Sequence, residues 1–497
     1  MSNLPASTEG AVVRTSRTRL AHVSVPLEPE SAPSAPPAVG SDGGSDTGDS
    51  PAPLPPFGDA DDQAKSPRRR GSHRAVRAEP THQVEWTLLC LALAAIVVII
   101  CIAKILTVEN FERSPIWATY SMIMMVFIFG RFGLACFYRP RFAPNSETYT
   151  PAVAIVVPAY NEEDGIGATL KACLGVDYPE GQLQVVVVDD GSTDSTLAHI
   201  RTVEADNPQL IVVACETNRG KRQVMATGMA AVSDAEVLVF IDSDSIVERG
   251  AILKLVRYFA DPEVGAVCGH TDVLNEHKTF LTRMQALQYY IAFSVYKSAE
   301  ALFGSVTCCS GCFSGYRRKA LDVVADAWVG QRFFGQPSTY GDDRSLTNFL
   351  LPDWKILYAP DAKAYTAVPH KLNQFLRQQL RWKKSWLRES TRAFKIMWRK
   401  PPVTAVYYYL GVLLPFFAPQ VIIHALVISP YFSLSPPVWY LGGMAAVALF
   451  YGLYYRLRTR EKRWYQGILF SVFYTALLAW QLPYAVLTIR DSKWGTR

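Results

Sequence analysis

Apolar positions gather along this chain in two distinct patterns. Long charge-free runs occupy 86–103, 401–455 and 464–489, and 115–138 is apolar apart from Arg131. Short runs rich in Val and Ile occupy 152–157, 184–188, 210–214 and 236–241. About 20 apolar residues suffice to span a bilayer, so the long runs predict membrane helices. The short runs predict strands buried on both faces. Helix-like patterns at 193–203 and 221–231 lie between them. Strands alternating with helices predict a parallel α/β sheet. In such sheets ligands bind beyond the carboxyl ends of the strands, so the residues just after each short run are the first candidates for chemistry.

The long runs carry topological information. Residues 1–85 are rich in Pro, Gly, Ser and Asp, with Phe57 as their one aromatic residue, and predict a disordered cytosolic tail. A basic cluster (Lys65, Arg68, Arg69, Arg70, Arg74 and Arg77) reads as a topology signal or as a contact for anionic lipid. Residues 86–140 then hold two spans, and Arg139 and Arg141 put the chain beyond them on the same side as the tail. Residues 401–456 predict a membrane hairpin broken by prolines at 429–437. Arg456, Arg458, Arg460, Lys462 and Arg463 end it, as expected of an inner boundary. The last run, 464–490, contains Gln481 and Pro483 and is expected to be interfacial or re-entrant, which gives four true spans and a cytosolic C-terminus. Two amphipathic stretches, 280–302 and 372–388, predict interfacial helices.

Composition narrows the class. Of 497 residues, 49% are hydrophobic and 19% charged, against about 25% charged in ordinary soluble domains. A purely soluble protein is excluded. Nine cysteines in this length exclude a disulfide-stapled secreted scaffold. A net charge of +6 is too small for a dedicated nucleic-acid binder.

Candidate chemistry clusters at the expected strand ends. The clusters are Tyr160-Asn161-Glu162-Glu163, Asp189-Asp190-Gly191-Ser192-Thr193-Asp194 and Asp242-Ser243-Asp244. One Asp after a strand is commonly a helix cap, but three clusters on one edge predict a shared site. Asp-x-Asp suits Mg²⁺ or Mn²⁺, which take one or two carboxylates and complete their shell with substrate phosphate oxygens. Lys221 and Arg222 open a predicted helix, against its dipole, which makes sense if an anion also sits there. Asp342 and Asp343 are adjacent carboxylates, a pattern that invites a raised pKa and a general base. Gln378, Arg381 and Trp382 lie in the second amphipathic stretch, where Trp382 offers a face for a sugar ring and Arg381 a charge for phosphate. Cys308, Cys309 and Cys312 lack the second pair that a zinc site needs and read as free thiols. Tyr407, Tyr408, Tyr409 and Trp439 read either as an aromatic belt or as the lining of a sugar path.

The order Asp-Asp-Gly-Ser-x-Asp, Asp-x-Asp, Gly-Asp-Asp, Gln-x-x-Arg-Trp resembles the processive family 2 membrane glycosyltransferases. Within that family Gly220 to Met225, Gly341 to Asn348 and Gln378 to Glu389 are most similar to hyaluronan synthases. Nodulation-type chitin oligomer synthases are near relatives, and the C-terminal Trp494-Gly495-Thr496-Arg497 is similar to theirs as well. Cys308 to Phe313 departs from the Cys-x-Ser-Gly-Pro-Leu of hyaluronan synthases. The resemblance covers residues 86–497. It implies a Rossmann-like GT-A glycosyltransferase domain at 145–400, joined to transmembrane and interfacial helices, with 491–497 as a gating tail. It implies UDP-sugar donors, a growing polysaccharide acceptor, the lipid bilayer and a divalent cation as partners. Tyr160, Glu162, Asp189, Asp190, Lys221, Arg222, Asp242, Trp494 and Arg497 would bind the nucleotide-sugar. Asp242 and Asp244 would hold the metal, and Asp343 would be the base. Asp342, Gln378, Arg381 and Trp382 would frame the acceptor and diphosphate. Two rival functions share parts of this pattern: transfer of one sugar to a lipid, and a catalytically silent nucleotide-sugar-binding membrane protein.

Overall fold

A computed structural model describes residue 91 and residues 94–102, 115–432 and 437–490. Its centre is an eight-stranded sheet. The strands are β1 (Val153–Ala159), β2 (Leu183–Asp189), β3 (Leu210–Ala214), β4 (Val237–Phe240), β5 (Ser245–Val247), β6 (Val264–Val273), β7 (Ser314–Arg317) and β10 (Lys355–Thr366). They lie side by side in the order β3-β2-β1-β4-β7-β6-β10-β5. A separate small hairpin joins residues Arg332–Phe333 (β8) to Gln336–Pro337 (β9). β1 to β4 run parallel, β7 runs antiparallel to both β4 and β6, and β5 closes the far edge antiparallel to β10. The four short Val-rich runs are therefore the parallel half. Alternate residues point to opposite faces, and both faces are buried. Val156, Val188 and Leu238 enter one core, while Ile155, Val157, Val187 and Val239 enter the other.

Helix Lys221–Ala231 lies against this sheet closely enough that a methyl group on Gly228 would stand 2.4 Å from Val156 Cγ1. The helix expected over 193–203 forms instead at Thr196–Asp206, because Asp194 and Ser195 are engaged in hydrogen bonds with the strand-end loop.

Helix Pro115–Phe137 and the helical stretch Pro402–Tyr431 are long and apolar enough to cross a membrane. The second carries Pro415 and Pro419 and widens into a π turn at His424–Ile428. Helix Val438–Thr459 comes next along the chain. The expected first span is helical at 91 and 94–102, and the rest of it lies outside the described residues. The stretch 280–302 is a helix (Phe280–Ile291), a π turn (Ala292–Lys297) and a last helical turn (Ser298–Ala301). Leu287, Ile291 and Val295 pack with Phe132, Phe450 and Tyr455, which ties the sheet domain to the apolar helices.

Residues 464–490 form no single helix. They run as a 3₁₀ turn (Trp464–Ile468), a short helix (Leu469–Phe473), a π turn (Tyr474–Leu478) and a helix (Gln481–Leu487). The last piece lies along the 26-residue helix Leu372–Met397. Gln481 donates to the Leu376 carbonyl at 3.1 Å and accepts from Lys383 Nζ at 3.2 Å. Arg388 donates to the Ile489 carbonyl at 2.7 Å.

Candidate active site

The parallel strands end level with one another. Ala159 pairs with Asp189, and Val156 with Phe240, so the polar residues after each strand share one edge. A cavity of about 1860 Å³ opens there. Tyr160, Glu162, Asp190, Lys221, Arg222, Asp242, Asp244, Asp342, Asp343, Gln378, Arg381 and Trp382 all line it. These residues span more than 220 positions of sequence and come from the strand ends and three different helices. Asp189 is the exception. It is buried at the end of β2, where it accepts from Ser192 Oγ at 2.5 Å and from Ser192 N at 3.2 Å, fixing the turn at Gly191. Trp494 and Arg497 lie outside the described residues.

Each lining group has a definite support. The Asp190 carboxylate accepts from the backbone N–H groups of Arg219 (2.7 Å) and Gly220 (2.9 Å). Burial raises its pKa, and these two bonds oppose the rise. Gly220 takes φ +88, a region that glycine adopts at no steric cost, and helix Lys221–Ala231 starts at the next residue. The Lys221 ammonium pairs with Asp242. Burial is the largest single influence and would lower the lysine's pKa, but the charge and hydrogen bond of Asp242, together with the charges of Asp342 and Asp343, outweigh it and the net direction is upward. Burial first, and the neighbouring Asp242 charge second, push Asp244 up to about 6. Two hard carboxylates crowded in this way fit Mg²⁺ or Mn²⁺. Among the described residues no group of three or more metal-ligating side chains forms, so further ligands would be diphosphate oxygens and water.

Across the cavity, Asp342 and Asp343 open helix Asp342–Leu350, where the dipole favours carboxylates. Asp342 is buried and accepts from Arg222 Nε at 2.5 Å. Burial raises its pKa, and the guanidinium opposes that rise. Asp343 accepts from the N–H of Arg344 at 2.7 Å, and the Cys308 thiol lies 3.6 Å from its other oxygen. Gly341, at φ +80, caps this helix so close to helix Leu372–Met397 that a Cβ would stand 2.0 Å from Ser385 Oγ. The Trp382 ring, 37% exposed, lies 6.1 Å from that of Tyr289.

Several lining residues were not singled out by their sequence. Tyr289, Phe293, Tyr296, Lys297 and Glu300 come from the stretch 280–302, read from sequence as interfacial only. Their spacing of mostly three and four residues marks one helical face, which is the signal that could have found them. Cys308 and Cys312 line the wall as free thiols, and burial pushes Cys308 up to about 12. Gly311 lies over Asp242, where a Cβ would come within 3.1 Å of both carboxylate oxygens.

The cavity does not end at the sheet. It continues between the apolar helices, lined there by Tyr120, Phe127, Leu414, Met444, Tyr451 and Thr475 among others. Arg131 lines it too, its guanidinium 4.4 Å from the Phe127 ring and 4.8 Å from the Tyr296 ring. Of the Tyr407–Tyr409 triplet, Tyr408 alone reaches the cavity. Tyr407 stacks on Phe127, and Tyr409 donates to the Phe394 carbonyl. Consecutive residues on a helix cannot share one face.

Residues 151–385 match the model of a glycosyltransferase-like family 2. An N-acetylglucosaminyltransferase of Bradyrhizobium diazoefficiens is 34% identical over 363 residues, 71% of this chain and 73% of that protein. The chain belongs to the family 2 glycosyltransferases. A hyaluronan synthase of Streptococcus pyogenes serotype M3 is 31% identical to this glycosyltransferase over 410 residues, 80% of this chain and 95% of that one. Among solved structures, the mannosyltransferase PcManGT from Pyrobaculum calidifontis, in complex with GDP-Man and Mn²⁺, matches with a TM-score of 0.53 at 22% identity. That match covers 75% of this chain and 99% of the other. The fold is GT-A, and the enzyme is a hexosyltransferase.

Proposed function

We propose that this glycosyltransferase is a membrane-embedded, inverting, processive enzyme that polymerises UDP-sugars into a β-linked polysaccharide and extrudes it. The product we infer is hyaluronan, from UDP-GlcNAc and UDP-GlcA. The observation that carries the reading is the single cavity running from Asp242 and Asp343 into the apolar helices. At about 1860 Å³ it exceeds the ordinary range for a small-molecule pocket, about 300–1,000 Å³, as an enzyme that holds both donor and polymer requires.

In this mechanism Asp190 and Tyr160 hold the nucleotide. Lys221, Arg222 and Arg381 hold the diphosphate. Gln378 and Trp382 orient the terminal sugar of the acceptor. Asp343 accepts the proton of the acceptor hydroxyl as its oxygen bonds to the anomeric carbon. The bond from that carbon to the diphosphate oxygen breaks, and its electron pair leaves with UDP. One displacement inverts the centre, so an α-linked donor gives a β-linkage. Asp242 and Asp244 would hold a divalent cation, which when bound neutralises charge on the leaving diphosphate. Asp189 supports the site through the turn it fixes. The catalytic domain, the tail and the C-terminus are read as cytosolic, with 464–490 re-entrant. The contacts of Gln481 and Ile489 with helix Leu372–Met397 support that return.

A second reading, a chitin or chitooligosaccharide synthase, is favoured by the N-acetylglucosaminyltransferase relative at 34% identity. The deciding measurement uses full-length protein in detergent with Mg²⁺ or Mn²⁺. UDP release is followed with UDP-GlcNAc, with UDP-GlcA and with both, and products are digested with hyaluronidase or chitinase. A polymer that needs both donors and is cut by hyaluronidase is expected. A polymer from UDP-GlcNAc alone, cut by chitinase, would select the second reading. Asp343→Asn should abolish transfer while UDP still binds, and near-normal turnover in that variant would remove Asp343 as the base.

A further inference from the structure

A buried polar cluster stands behind the Gly341-Asp342-Asp343 loop, and its centre is Gln331. This residue lies between helix Arg318–Val329 and the β8–β9 hairpin. Its side-chain oxygen accepts from Arg222 Nη1 at 2.6 Å and from Ser345 Oγ at 2.5 Å. Its side-chain nitrogen donates to Glu389 Oε1 at 2.9 Å. Arg222 also holds Asp342, and Asn348 donates to the Glu389 carbonyl at 3.1 Å. Arg222, Asp342, Ser345, Asn348 and Glu389 are all buried. The chemistry of the partners fixes which way the amide faces. A guanidinium and a hydroxyl meet its oxygen, and a carboxylate meets its nitrogen; the flipped amide would oppose like to like.

One planar group thus bridges three helices. The first begins at Lys221-Arg222, the second opens with Asp342-Asp343, and the third carries Gln378, Arg381 and Trp382. We propose that Gln331 is a positioning residue for glycosyl transfer. It couples the helix that frames the acceptor to the helix that carries the base, and so sets the distance between Asp343 and the acceptor hydroxyl. The proposal rests on the reading of Asp343 as the base. Gln331 touches neither Asp343 nor the cavity. It acts through Ser345, two residues along the same helix, and through the Arg222–Asp342 pair.

The test uses full-length protein in detergent and two variants, Gln331→Leu and Gln331→Glu. Initial rates, donor KM, UDP affinity, thermal unfolding and the pH profile are read for each. Gln331→Leu should lower kcat about tenfold to a hundredfold, the penalty for a reacting group misplaced by about 1 Å. Donor KM and UDP affinity should change much less than kcat, because Arg222 loses one partner but stays held by Asp342, and the other nucleotide contacts are untouched. Gln331→Glu keeps the acceptor face for Arg222 and Ser345 but sets a second carboxylate against Glu389. Burial already raises the Glu389 pKa, with the Gln331 amide, Arg222, the Asn348 amide and Arg344 opposing it, and Arg392 is a further cation near it. A proton shared between the two carboxylates rebuilds the bridge. Activity of Gln331→Glu relative to wild type should therefore recover as pH falls, and that of Gln331→Leu should not. If Gln331→Leu fails to fold, the pH profile of Gln331→Glu decides alone. Equal losses of kcat and UDP affinity, or a Gln331→Glu profile that tracks wild type, would overturn the proposal. A wild-type enzyme that binds UDP but transfers no sugar would overturn the proposed function with it; an active wild type with an unaffected Gln331→Leu would overturn this inference alone.

Discussion

Asp244 shows how a single side chain joins the fold to the chemistry. Its carboxyl is raised from 3.8 to about 6 by burial and by Asp242. A raised carboxyl stabilises the fold in its protonated form. In cation-free protein that contribution is complete below the unfolded value near 3.8 and is lost as pH rises through about 6. A divalent cation competes for the same oxygens, so Mn²⁺ affinity should weaken as pH falls below about 6. Titration of Mn²⁺ by electron paramagnetic resonance at several pH values measures this. Asp244→Asn should lose most of the binding together with its pH dependence. Tight binding that is flat with pH in the wild type would remove Asp244 from the cation site.

Between elements, the Gly341 loop makes a tight approach to helix Leu372–Met397 at the site. Two constraints meet at Gly341. Its φ of +80 costs a residue with a side chain about 1–2 kcal/mol, and a Cβ there would stand 2.0 Å from Ser385 Oγ. Gly341→Ala should destabilise the protein by about 2–4 kcal/mol, the backbone term plus overpacking, and lower kcat as the loop is displaced. Adding Ser385→Ala removes the hydroxyl and should restore part of the stability but not the backbone term. Thermal unfolding of the two single variants and the double variant measures the coupling, and strictly additive effects would contradict it.

For the whole molecule, the proposed path of the chain through a bilayer has the largest consequence. Basic residues come directly after Tyr455, and the run 464–490 is broken into short pieces, the last of which lies along helix Leu372–Met397, as the proposed return of the chain requires. A protease-cleavable tag at the C-terminus should resist external protease in intact cells and be cut after permeabilisation. A tag inserted at 433–436, between the two spans expected from the sequence, should be cut from outside. External cleavage of the C-terminal tag would require 464–490 to cross.

The sequence by itself determined the strands, two helices long and apolar enough to cross a membrane, and most of the polar residues that line the cavity. Val-rich runs at 152–157 and 236–241 can be satisfied only by burial on both faces, and carboxylates after such strands collect at one edge whatever the loops do. Local pattern was enough there because period and polarity are properties of neighbouring residues. Tertiary structure decided what depends on partners distant in sequence. It turned Asp189 away from the cavity to fix Ser192, selected Tyr408 from three adjacent tyrosines, and recruited one face of 280–302 to the wall. It also brought Gln331 against Arg222, Ser345 and Glu389, up to 109 positions away. A lone glutamine in a turn carries no sequence signal of that kind, since its role is defined by three helices that meet only in the folded molecule.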